Sequence, residues 1–188
     1  MTWKFLRGEQ NSETGLENKG RSVAGLMTKA AAENAHALLE IIQGSRCGSE
    51  DDTEEEFVGI FIEFVYLYLH IGDRLAFELL GAEKRNVFVD ALREKTLDIL
   101  SEGYDSKAAR DEFCAGFGEA LDARESIYST YRWGPGEDGG LEGELLWEFA
   151  KYMGKSMGAN MDPAIILGIQ KLVAQSLVSF ELPRLLKG

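Results

Sequence analysis

Hydrophobic residues recur at spacings of three and four in segment after segment of this chain, and no turn-bounded run alternates strictly between apolar and polar. The pattern predicts an all-α fold: a single compact bundle of about six helices, with residues 1–188 as one domain and residues 1–20 as a flexible N-terminus. The first helix is expected from about Arg21 to Gln43, with Met27, Ala30, Ala31, Leu38 and Ile41 inward and Gly44 as its stop. After the loop "GSRCGSEDD", the "TEEE" at Thr53 offers a capping box that starts helix two, and Gly81 is its expected C-terminal cap. Helix three covers about Ala82 to Glu102, turns Phe88, Leu92 and Ile99 inward and stops at Gly103. Asp105 or Ser106 then caps helix four, whose inward face is Phe113, Phe117, Leu121, Tyr128 and Tyr131.

"WGPGEDGG", Trp133 to Gly140, cannot continue a helix and is the candidate mobile loop. Helix five carries Leu145, Leu146, Phe149, Tyr152 and Met153. Asp162 and Pro163 open helix six as N-cap and first helical residue, and Pro183 ends or bends it. Helix six is apolar over so wide an arc that it belongs either at the centre of the bundle or in a subunit interface. Glycines at 116, 118, 143, 154, 158 and 168 weaken their helices, for which close helix approach is the usual compensation.

Helix two is the most informative. Projected at 100° per residue, its apolar positions cover an arc of about 200°, wider than an ordinary amphipathic face. The remaining arc holds Glu63, Tyr66, His70, Asp73 and Arg74 in one line, spaced so that neighbours three and four apart can touch. Asp73 beside His70 is expected to raise the histidine pKa and fix its tautomer, as a general base or a metal ligand requires. Three readings compete: a solvent-facing edge with weak ion pairs, a buried polar network at a helix or subunit junction, and a ligand-binding or catalytic pocket.

Charge narrows the partners. The 188 residues carry 32 acidic and 20 basic side chains, a net charge of −12 that repels phosphate backbones and anionic lipid surfaces. No nucleic acid and no membrane are therefore expected as partners, and the acidic excess reads first as solubility. The run from Phe57 to Ile71 is too short to span a bilayer and contains Glu63. The N-terminus is too briefly apolar for a signal peptide, with Trp3, Phe5 and Leu6 as no more than a weak interfacial anchor. The chain is thus expected in the cytoplasm, with Cys47 and Cys114 as reduced thiols and Cys47, beside Arg46, the more reactive.

"ENAH", Glu33 to His36, has the Glu-x-x-His spacing of di-iron bundles, and Glu63 and His70 could complete such a set. Against it, the motif occurs once, and the projection turns His36 outward and Asn34 inward. No metal and no cofactor are expected on this ground. Phosphate-cradle and nucleophile-elbow motifs are missing from the sequence.

"EFVYLYLHIGDRLAFELLG", Glu63 to Gly81, resembles a stretch of small, uncharacterised all-helical bacterial proteins in which an aromatic-rich helix carries Leu-His-x-x-Asp-Arg, here Leu69, His70, Asp73 and Arg74. The resemblance implies a bacterial helical domain and no reaction. The expected function is non-catalytic, through homo-oligomerisation, most simply a homodimer, or contact with another protein. The alternative is a small-ligand-binding or metal-dependent bundle enzyme built on the stripe.

Overall fold

Gly8, Gly15 and Gly20 do not delay the first helix. The computed structural model describes residues 3–45, 53–135, 141–158 and 162–187, and in it α1 runs Trp3–Ser45, beginning well before Arg21. Leu16 is buried and carries the Val23–Met27 stripe back by two turns, so packing outweighs the weak helix propensity of this polar stretch. α2 is Thr53–Leu80, α3 Ala82–Leu100, α4 Lys107–Tyr128, α5 Glu144–Ser156 and α6 Pro163–Phe180. The fold is all-α, with α2 to α6 where the periodicity predicts them and α1 starting eighteen residues before the expected Arg21. A seventh, α7, Leu182–Lys187, follows α6 after Glu181, which alone among the described non-glycine residues has a positive φ, 45°. Pro183 thus sits in the first turn of a new helix, where its missing N–H costs nothing.

The caps follow local chemistry. Gly81, at φ 76°, ends α2 with its N–H on the Phe77 carbonyl at 3.0 Å, and its own carbonyl accepts from Arg85 to begin α3. Ser106 caps α4, its hydroxyl accepting from the Ala109 N–H at 3.2 Å. Asp162 caps α6, its carboxylate accepting from the Ala164 N–H at 2.8 Å. The Thr53 side chain of the expected capping box lies outside the described residues, as does Cys47.

The "WGPGEDGG" break is framed by two short antiparallel strands, β1 Trp133–Pro135 and β2 Leu141–Gly143, with Trp133 opposite Gly143. Strands of three residues are too short to show alternation, so the pattern could not reveal them. At Gly143, φ 147°, a Cβ would stand 2.3 Å from the Arg132 carbonyl oxygen. The expected mobile loop, residues 136–140, lies outside the described residues.

The chain divides into two compact units. The first comprises residues 1–28, 69–119 and 180–188. Its core sets Met27 of α1 and Ile71 of α2 with Phe88 and Leu92 of α3, all buried. The helices approach closely at two glycines: a Cβ on Gly20 would meet the Phe88 carbonyl oxygen at 2.5 Å, and one on Gly72 would meet Met27 and Leu92 at 3.0 and 3.2 Å. The second unit comprises residues 29–68 and 120–179. Phe149 of α5 lies at its centre, with ring centroids 5.5 Å from Phe64 of α2 and 6.4 Å from Tyr128 of α4. Ile165, Ile169, Val173 and Leu177 bury one side of α6.

Three expectations are corrected. Ile41 and Tyr152, assigned inward, are exposed by 36% and 39%. The projection puts both at the edge of an apolar face, where a neighbour's reach decides burial. Glycines 116, 118 and 154 have open space where a Cβ would stand, so close approach is not their reason; among the described helical glycines, Gly20 and Gly72 are the tightly packed ones.

Candidate functional site

α2 passes from the second unit to the first between Tyr68 and Leu69, so the polar line falls into two groups. Glu63 and Tyr66 belong to the second unit; His70, Asp73 and Arg74 belong to the first.

In the second unit Glu63 is largely covered and meets Arg124 of α4 in a two-pronged pair, Nε to Oε2 at 2.9 Å and Nη2 to Oε1 at 2.5 Å. The Tyr152 hydroxyl of α5 donates to the same carboxylate at 3.2 Å and accepts from Arg124 Nη2, while the guanidinium carbon stands 4.7 Å from the Tyr152 ring centre. Three helices thus share one ion pair. Sequence reasoning missed Arg124. Its signal was position: it lies three residues after Leu121 and four before Tyr128, on the border of an inward face, and a half-buried Glu63 requires a cation.

Tyrosines surround the pair. Tyr66 is buried, and loss of hydration together with the Glu63 charge pushes its hydroxyl up to about 12, with Arg124 acting the other way. Tyr128 is raised by burial first and then by Glu63, and Tyr152 is raised for the same reasons. Each phenol stays protonated at neutral pH, so none of the three supplies a base. A separate polar knot joins α1, α2 and α6: Asn34 donates to the Tyr68 hydroxyl and to Ser176 Oγ at 3.0 Å. The inward turn expected for Asn34 is seen, and its partners explain why a buried amide is tolerated.

In the first unit His70 is buried, and its pKa is pushed down to about 4, by loss of hydration first and by Arg74 second. Asp73 acts in the opposite direction but is the weaker influence. Its carboxylate is gripped by Nε and Nη2 of Arg85 on α3, which spends its charge on another partner. The expected rise is therefore reversed. His70 is therefore neutral at pH 7. The line is a pair of buried and half-buried networks rather than a solvent edge.

The metal candidates do not converge. Glu33 is exposed and 3.7 Å from Lys29, the exposed His36 ring lies 4.4 Å from Phe57, and Glu63 is held by Arg124. Among the described residues no three His, Cys, Asp or Glu side chains gather where they could hold a metal ion. Cys114 is half-buried on α4.

No protein-family model, curated protein or solved structure matches this chain.

Proposed function

We propose that this is a non-catalytic, cytoplasmic bacterial protein that works by pairing with a second copy of itself through the open face of α6. The observation that carries the reading is the exposure of Leu167 and Val178, by 61% and 78%. With the exposed Ala174 between them they form a line within about 40° of arc and some 16 Å long. A line at this spacing is the seam along which helices pair, and the small Ala174 lets a second backbone come near.

Charge favours a copy on this face. Residues 163–180 contain no Asp or Glu, so α6 is a gap in the acidic surface that otherwise holds two copies apart. Lys171 is its one charged residue and has a flexible stem that can lie beside a seam with its ammonium in water. Pro163–Lys187 is also long and apolar enough to cross a membrane by length and composition, with 44% of its most apolar window buried. A lipid surface is therefore the rival occupant.

Light scattering across a wide concentration range tests the reading. The expected mass is twice the 20.8 kDa of the chain, falling to the single value in a Leu167→Glu/Val178→Glu double variant. A monomer at every concentration overturns it, as does a wild type that stays monomeric and sediments with vesicles.

A further inference from the structure

The second unit also holds a cleft of about 340 Å³ between α4 and α5. That volume is at the small end of the range for sites of small organic ligands. Its walls are apolar and mostly aromatic: Ile127, Tyr128 and Tyr131 on one side, Phe149 and Tyr152 on the other. Arg124, Lys151 and Lys155 supply three cations to its lining against one acid, Glu148. In a chain with 32 acids and 20 bases this inverts the prevailing charge.

The cations differ in what they already hold. Lys151 is paired with Glu148 at 2.5 Å. Arg124 uses Nε and Nη2 on Glu63 and Tyr152, which fixes the guanidinium plane and leaves Nη1 without a hydrogen bond among the described residues. Lys155 is exposed and shows no ion pair among the described residues. Arg124, its guanidinium plane fixed with one nitrogen to spare, and Lys155, with an ammonium unpaired among the described residues, therefore line an aromatic slot.

We propose that this cleft binds a small organic monoanion with a flat apolar body, its carboxylate or sulfonate held by Arg124 Nη1 and Lys155 and its body lying against the tyrosines. Charge-assisted hydrogen bonds from a fixed Arg give such a head its orientation, and aromatic walls supply most of the buried area. No bond is made or broken. The proposal is independent of pairing through α6.

The test is a fluorescence titration with two probes of similar shape, the anionic anilinonaphthalene sulfonate and the neutral phenylnaphthylamine. The wild type is expected to bind the sulfonate at least roughly tenfold more tightly than the neutral probe, the size of one good charged contact. Lys155→Glu, an exposed change that spares the Glu63 pair, removes that preference; Tyr131→Ser weakens both probes. Leu167→Glu on α6 leaves both titrations unchanged. Equal binding of the two probes overturns the proposal, as does a sulfonate affinity indifferent to Lys155→Glu or abolished by Leu167→Glu. Lack of sulfonate binding by the wild type also overturns it.

Discussion

Arg124 holds Glu63 with two nitrogens, at 2.9 and 2.5 Å, across 61 residues of sequence. The pair is mostly covered, so its worth lies less in mutual attraction than in what remains when one partner goes.

Arg124→Met is expected to destabilise the fold by about 2–4 kcal/mol, less than a fully buried pair would show because both side chains keep some contact with water. In Glu63→Gln/Arg124→Met the stranded charge is gone, and part of the loss is recovered. Urea unfolding of the wild type, both single variants and the double variant measures this. Additive losses with no recovery would mean that the two side chains do not depend on each other.

His70 gives the fold a pH dependence of known sign. Its folded-state pKa, about 4, lies below its ordinary value of 6.5, so between these values the unfolded chain binds a proton that the folded chain refuses. The contribution is fully present above pH 6.5 and is lost as pH falls towards 4, by up to about 3 kcal/mol. Urea midpoints between about pH 5 and 6.5, where most carboxylates stay ionised, should fall for the wild type and fall less for His70→Gln. A His70 ring that titrates near 6.5 by NMR would remove the basis of the effect.

Two glycines of α1 should respond oppositely to alanine. At Gly20 a Cβ would press on the Phe88 carbonyl, and backbone cannot swing aside as a side chain can; a loss of about 1–3 kcal/mol is expected. At Gly25 the space is open, and Gly25→Ala should stabilise by up to about 1 kcal/mol through helix propensity alone. Thermal melts of the two variants decide it. Equal shifts would mean that α1 and α3 do not approach as described.

The helices were legible because burial writes itself into spacing: Phe64, Phe149 and Val173 each sit on a face that periodicity marks, and each is buried. Asn34 inward and His36 outward followed from the same projection. The site was only half legible. Periodicity gathers Glu63, Tyr66, His70, Asp73 and Arg74 on one line of α2, but it carries no information about which distant cation meets which acid. Arg124 and Arg85 come from other helices, and those two partners changed the meaning of the line. Asp73, paired with Arg85, still raises the His70 pKa, but burial and Arg74 outweigh it, and periodicity could not weigh these effects. Ile41 and Tyr152 were misplaced for a related reason, since at the edge of an apolar arc the reach of a neighbour decides exposure.

The central claim, pairing through α6, is tested most directly by cysteine crosslinking at Ala174 in a chain whose Cys47 and Cys114 are replaced by serine. Ala174→Cys stands midway along the exposed line and should form a dimer-sized disulfide product under mild oxidation. Val58→Cys, exposed by 50% on α2 of the same unit, is the control and should not. An Ala174→Cys chain that stays single, or a Val58→Cys chain that crosslinks as readily, would contradict the account.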